Sequence, residues 1–389
     1  MKNICFIVQE YYPKDPRVRK FVELLLSKGY AVDVICLKEV SFSKTERLNN
    51  LTIYRTGLSK KRGGLFRYLL EYIVFFIQAF FKVTALHFKK KYQLIHVNTL
   101  PDFLVFSAFI PKLFGAKILL DMHEIAPEFF QVKFNKSENH WIIKLLKWIE
   151  KISLQFANHS LTVTHAIKDI FVKRAIKENT IDVIMNVPAT QTVRKNSNSD
   201  FSKQFNLVYH GTLTNLYSLD LAIRAVNLLK KEIPSICLNI YGEGQEEILL
   251  KILMKELSLE KHVIFHGFLS YNDMQIELSR MDIGILPIRR NIFIDLSFSN
   301  KLAEYVSLGI PVITTALPSV KYYFSDTSLF YFDGEEHELA TVIKLVYGNP
   351  ENVIAKINSA NVDYEKISWN IMANRYLQIV EQMINTKNL

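Results

Sequence analysis

The sequence predicts an α/β protein of two Rossmann-like domains, each a doubly wound parallel sheet, facing a cleft. Three observations predict this. Short apolar runs alternate with helical patterns along the whole chain, the pattern of parallel sheets covered on both faces. At 389 residues the chain exceeds one ordinary domain and can bury two cores. A polar stretch with no apolar period, Pro188 to Gln204, interrupts the alternation and reads as a linker.

In the first domain, residues 1–187, strands are expected near Ile4–Val8, Val32–Leu37, Leu94–Val97, Ile118–Leu120 and Ser160–Val163. Helices are expected between them, including Pro16–Lys28, where proline suits a first helical position, and Trp141–Ala157. In the second domain, residues 205–367, strands are expected near Leu207–Tyr209, Cys237–Tyr241, Val263–Phe265, Ile283–Leu286 and Val312–Thr314. The helices there are Leu219–Lys231, Gln245–Leu257, Tyr271–Ser279 and Lys301–Leu308. A last helix, within 368–389, carries Ile371, Met372, Tyr376, Ile379, Val380 and Met383 on one stripe. That stripe is a surface for packing back on the first domain. Open α/β sheets take ligands outside the C-terminal ends of their strands.

Composition narrows the partners. Residues 1–187 hold 29 Lys/Arg and 16 Asp/Glu, a net +13, whereas residues 188–389 hold 19 and 22, a net −3. A basic first half points to an anionic membrane surface or a lipid pyrophosphate. Nucleic acid is disfavoured, because no zinc finger or RNP sequence accompanies the charge. The cysteines, Cys5, Cys36 and Cys237, each lie in an apolar run and read as buried free thiols of a reducing cytoplasm. None has paired metal-ligand spacing. Lys2 precedes only the short run Ile4–Val8, so no secretory leader is expected. Leu65 to Tyr92 is rich in aromatics and flanked by lysines and arginines. Its uncharged run, Tyr72 to Phe81, is short of the ~20 residues that span a bilayer. It fits a helix in the membrane interface, or a core helix on the first sheet, and both readings can hold together.

The most chemically informative stretch is SFSNKLAEYVSLGIP, Ser297 to Pro311. It places Glu304 about a turn after Lys301, near an expected helix N-terminus. A carboxylate can hold ribose hydroxyls, and a lysine with free helix N–H groups can hold a diphosphate. Gly211 follows an expected strand, where glycine lets backbone approach a ligand. Gly242 and Gly244 lie in a strand-to-helix turn, a weak phosphate-binding signal. Asp15 and Arg17 enter the first helix, and Arg17 is a candidate phosphate partner.

Several segments together resemble the family 4 glycosyltransferases, whose fold is GT-B: DPRVRKFVELLLSKGYAVDVICL, LIHVNTLPDFLV and LLDMHEIAPEFF in the first domain, and YHGTLTNLYSLDLAIRAVNLL, IYGEGQEEIL, VIFHGFLSYNDM, MDIGILP and SNKLAEYVSLGIPVI in the second. The resemblance covers nearly the whole chain. It implies transfer of a sugar from a nucleotide sugar, UDP- or GDP-linked, with retention of configuration, no cofactor and no metal. The second domain would bind the donor and the first the acceptor, a glycan or a polyprenyl-diphosphate-linked glycan in surface polysaccharide biosynthesis. The protein would be cytoplasmic and peripheral at the inner face of the cell membrane, with an anionic membrane surface as a partner and no nucleic acid.

By the same resemblance, Glu304 would grip the donor ribose, and Lys301 would offset charge on the leaving diphosphate. Gly211, Thr212, Gly242, Gly244, Gly267, Phe268, Arg289 and Asn300 would complete the donor set. His123 would lie by the donor sugar, and Glu124 would orient it or bind acceptor. His123, Glu124 and Lys301 form the catalytic set, with no covalent nucleophile. Asp15, Arg17 and Asn98 form the acceptor set. The sequence departs from the family pattern at three places. Leu296 stands eight positions before Glu304, where a first glutamate is common. Thr212 and Tyr217 stand where an arginine and a lysine commonly face the diphosphate. Asn300-Lys301 matches a branch with that pair, so neutralisation would fall to Lys301, with Arg289 or Arg290. The competing expectations are a degenerate glycosyltransferase serving as a binding or scaffold subunit, and a GT-B nucleotide-sugar epimerase.

Overall fold

The structure, a computed structural model, describes every residue except 1, 40, 59, 61–64, 190–200, 202–203 and 386–389. It separates into two compact units, residues 1–186 with 372–389, and residues 187–371. Most of the expected linker, Pro188–Gln204, lies outside the described residues.

The first unit is built on eight strands: β1 (Asn3–Tyr11), β2 (Ala31–Leu37), β3 (Thr45–Leu48), β4 (Leu51–Arg55), β5 (Leu94–Asn98), β6 (Lys117–Met122), β7 (His159–Thr162) and β8 (Ile181–Val183). Their order is β3-β4-β2-β1-β5-β6-β7-β8. All pairs are parallel except β3 with β4. Ile4 pairs with Val32 on one side and Leu94 on the other, and Ile4 to Val8 are all buried. A strand covered on both faces has no polar alternation, which is why it reads as one apolar run. The β3–β4 hairpin is additional to the expected strands. Its Thr45–Leu48 arm is short, charged and mostly exposed, so no apolar period marks it.

Six helices follow in this unit: α1 (Pro16–Ser27), α2 (Leu65–Lys90), α3 (Phe109–Leu113), α4 (Ala126–Phe134), α5 (Trp141–Phe156) and α6 (His165–Arg174). α1 starts because the Asp15 carboxylate accepts from the N–H groups of Arg17 and Val18, each at 2.9 Å, with Pro16 in the first turn. It buries Val18, Phe21, Val22 and Leu25, one helical stripe. α2 buries Phe75, Ala79, Val83 and Leu86 and packs on β1 and β2. By length and composition its Arg67–Lys90 stretch suffices to cross a membrane, which differs from the expectation of too short a run. The expectation stopped at Lys82, but the helix continues through it.

The second unit has six parallel strands: β9 (Phe205–His210), β10 (Ile236–Tyr241), β11 (Val263–Gly267), β12 (Ile283–Leu286), β13 (Val312–Thr315) and β14 (Phe330–Phe332), in the order β11-β10-β9-β12-β13-β14. Its helices are α7 (Leu219–Leu229), α8 (Glu247–Glu256), α9 (Tyr271–Leu278), α10 (Asn300–Ser307), α11 (Pro318–Lys321), α12 (Glu336–Gly348) and α13 (Pro350–Glu365). The strand order reverses at β9, between β10 and β12, which puts a ligand crevice at the end of β9.

The last helix, α14 (Trp369–Asn385), carries its stripe into the first unit from Met372 onward. Tyr376 is fully buried, stacks on Phe21 at 4.2 Å between centroids, and its hydroxyl lies 3.0 Å from His96 Nδ1. Arg375 donates to Asp182 at 2.7 Å.

Candidate functional site

The end of β9 gathers the chemistry of the second unit. His210, the last residue of β9, holds the Glu304 carboxylate: Nε2 lies 2.6 Å from Oε2. The other ring nitrogen, Nδ1, lies 3.0 Å from the Tyr305 hydroxyl, and that hydroxyl also accepts the His210 backbone N–H at 3.2 Å. Tyr305 is fully buried, and a Cβ on Gly284 of β12 would overlap its ring. The tyrosine thus fixes the imidazole, and the imidazole fixes one carboxylate oxygen. Oε1 takes no protein hydrogen bond among the described residues and can accept from a ligand hydroxyl.

Lys301 sits one turn earlier on α10. Its ammonium lies 3.6 Å from the Tyr217 ring centroid and 5.4 Å from that of Tyr209. No carboxylate pairs with it among the described residues. The α10 N-terminus has no side-chain cap: the Ser299 hydroxyl is buried without a partner, and Asn300 is exposed. Uncapped N–H groups, the helix dipole and a free ammonium together favour an anion.

The other donor residues fall around this centre. Gly211 has φ +121, and a Cβ there would overlap the Lys301 side chain. Gly242 donates to the Gly267 carbonyl at 2.7 Å, and a Cβ on it would strike the Gly211 carbonyl. A Cβ on Gly244 would strike Leu213. These two glycines therefore pack loop on loop, rather than offering a phosphate cradle. Thr212 is exposed, and its carbonyl accepts from the Tyr209 hydroxyl at 3.0 Å. Phe268, just past Gly267, is 73% exposed. Arg289 is turned to Asp220, with contacts of 2.7 and 3.2 Å, beside a cavity of about 280 Å³ lined also by Arg224 and Glu246. Arg290 is held by Asp295 at 2.9 and 3.0 Å. Neither arginine is as free as Lys301, since each already pairs with a carboxylate.

In the first unit the expected acceptor set is structural. Arg17 is 4% exposed. It donates to both oxygens of the buried Asp121, at 2.7 and 2.8 Å, and to the Ile184 carbonyl at 2.9 Å. That leaves it neither a phosphate ligand nor a surface ion pair. Burial pushes the Asp121 carboxyl up, but the Arg17 guanidinium, with His96 3.8 Å away, outweighs it and holds it well below the usual range. Asn98, fully buried, donates to Asp121 at 3.0 Å, and Asp15 is spent on the α1 cap. His123 and Glu124 follow β6 and are both half-buried. The His123 Nδ1 is buried with no hydrogen-bond partner. Glu124, with Glu150, helps burial push the Asp102 carboxyl well above its usual range.

His210 was missed by sequence reasoning. Its signal was available: a histidine at a strand end, directly before Gly211.

Comparison with known proteins bears on the family and the fold. The family described as Glycosyltransferase Family 4 matches residues 17–187, and that described as Glycosyl transferases group 1 matches residues 191–360. A chitobiosyldiphosphodolichol beta-mannosyltransferase of Debaryomyces hansenii is 26% identical over 250 residues, covering 57% of this chain and 52% of that relative. The chain thus spans about half the length of that relative. Among solved structures, sucrose-phosphate synthase from Thermosynechococcus elongatus has a TM-score of 0.79 at 16% identity, covering 98% of this chain and 99% of that one. Anabaena HepE in complex with UDP and glucose has a TM-score of 0.72 at 14% identity, covering 98% of this chain and 100% of that one. At such identities the structural likeness is one of fold. The chain belongs to the family 4 glycosyltransferases and has their GT-B fold.

Proposed function

We propose that the protein transfers a sugar from a UDP- or GDP-linked donor to a glycan or isoprenoid-diphosphate-linked acceptor in surface polysaccharide biosynthesis. One observation carries this reading: a carboxylate oriented by His210 and an unpaired ammonium lie one turn apart on the uncapped α10 N-terminus. Glu304 would take the ribose, and Lys301 with the α10 N–H groups would take the diphosphate. The UDP and glucose bound to HepE and the lipid diphosphate in the name of the mannosyltransferase relative support the substrate classes.

In the reaction the bond from sugar C1 to the diphosphate oxygen breaks, and a bond from C1 to the acceptor oxygen forms. The acceptor proton passes to the departing phosphate. Lys301 stabilises the charge that grows on that phosphate, so no metal is required. His123 would face the donor sugar. Retention is our reading of the outcome. The mannosyltransferase relative is named for a beta product, so proton NMR of the product anomer decides between retention and inversion.

The exposed faces of α2 and α5 support a cytoplasmic, peripheral membrane location. α5 presents Trp141, Leu145 and Trp148 with Lys144 and Lys151, and α2 presents Leu69, Leu70, Ile73 and Ile77. Aromatics with lysines suit an anionic interface.

Calorimetry with UDP, GDP, ADP and TDP tests the donor site. One nucleotide is expected to bind in the micromolar range, ~8 kcal/mol. Glu304→Ala is expected to weaken it about tenfold or more. No binding by well-folded protein favours the scaffold reading, to which Leu296 and Thr212 lend support. Conversion of the nucleotide sugar without acceptor would mark an epimerase.

A further inference from the structure

Tyr217 stands where the family pattern commonly has a second cation, and its surroundings explain the exchange. The Lys301 ammonium lies over its ring at 3.6 Å, with the buried Tyr209 ring behind, 5.8 Å from Tyr217 between centroids. The lysine stem runs through the space that a Cβ on Gly211 would fill. Tyr217 itself closes a 3-10 turn, Asn215–Tyr217, its N–H donating to the Thr214 carbonyl at 3.1 Å. Nearby Glu304 is engaged by His210 and leaves the ammonium alone.

A carboxylate partner would neutralise Lys301 and would have to be displaced by a diphosphate. An aromatic face attracts the ammonium through its quadrupole but leaves the full positive charge in place. The lysine is then fixed before the ligand arrives, which is what electrostatic catalysis requires. We propose that Tyr217 is a positioning residue, which holds the Lys301 ammonium over Gly211 for the donor diphosphate in place of a second cation. This rests on the donor-site reading above. It carries a counterintuitive consequence: a lysine restored at 217 would repel Lys301, because the slot is already filled.

The test compares Tyr217→Phe, Tyr217→Leu, Tyr217→Lys and Lys301→Ala in two measurements. The first is NMR of the protein with its lysines 13C-dimethylated, Lys301 being assigned by its loss in Lys301→Ala. The ring-current shift of that signal is expected in wild type and Tyr217→Phe and much smaller in Tyr217→Leu, where only the more distant Tyr209 ring remains. The second is calorimetry with UDP and with GDP. Tyr217→Phe is expected to bind like wild type, and Tyr217→Leu about tenfold more weakly. Tyr217→Lys is expected to bind no better than Tyr217→Leu. Adding Tyr217→Leu to Lys301→Ala should weaken binding little further, because both act through one ammonium. Wild-type affinity in Tyr217→Leu, with Lys301→Ala weakened, overturns the positioning role and leaves the donor-site reading intact. Tighter binding by Tyr217→Lys overturns it too. Failure of wild type to bind either nucleotide overturns the donor-site reading and this proposal with it.

Discussion

Glu150 is completely buried within α5, against Glu128 and Arg174. Burial pushes its carboxyl from 4.5 up to about 7, although Arg174 pulls the other way. Its Oε2 has no hydrogen-bond partner, so nothing on that side offsets the cost of burying a charged carboxylate. The native state then binds a proton that the unfolded chain releases near pH 4.5. Stability from this group is complete below about pH 4.5 and is lost as pH rises through about 7, on the order of 3 kcal/mol in all. Glu150→Gln should flatten that slope in urea unfolding between pH 5 and 8, and an unchanged slope would discount the group. Legibility at this scale was uneven. That Glu304 and Lys301 lie together was legible because they share one helix. The structural contacts of Asp15, Arg17 and Asn98 were not legible, because they run to the α1 cap or to Asp121, which is 104 residues from Arg17. His210 was hidden for the same reason: its partner lies 94 residues away. No local pattern records a contact between distant segments.

At the scale of elements, α14 has the most to lose. Tyr376 fills the space beside Phe21, and its hydroxyl meets His96. Burial lowers the His96 pKa and so favours the neutral ring, whose buried Nδ1 has the Tyr376 hydroxyl as its partner. Tyr376→Ala should cost about 3–5 kcal/mol in chemical denaturation, and Tyr376→Phe about 1–3 kcal/mol. A loss under about 1 kcal/mol for the alanine variant would show that α14 is a passive cover. The stripe of α14 was plain in the sequence because six apolar side chains keep one helical period. The β3–β4 hairpin was not: β3 is short and mostly exposed, and β4, though largely buried, mixes polar residues into a run of five. The extent of α2 was underestimated because Lys82 was read as a boundary. In the helix its ammonium reaches the Tyr54 ring, 4.3 Å from the centroid.

For the whole molecule, charge and exposed aromatics point the same way. Residues 1–187 carry the net +13, and Trp141 and Trp148 are 66% and 58% exposed. Lys144 and Lys151 form no ion pair among the described residues. The protein should float with anionic liposomes at low salt. It should float much less at about 0.5 M salt, where screening shortens the reach of each lysine to a few ångströms. Replacing both exposed tryptophans with serine should also reduce flotation. Equal flotation with zwitterionic vesicles in all conditions would remove the electrostatic part of the argument. The two-sheet plan was legible from its longer buried strands, which announce themselves as apolar runs, whereas β4 and the three-residue edge strands β8 and β14 were not expected. Synthesis order adds a temporal asymmetry. The second unit is one uninterrupted segment, Val187–Ile371, whereas the first awaits residues 372–385. On the ribosome the later-encoded unit has all its parts first. Until α14 emerges, the aromatic Phe21 and the imidazole of His96 lack the neighbour that covers them, and the nascent first unit depends on a helix translated after the whole of the second.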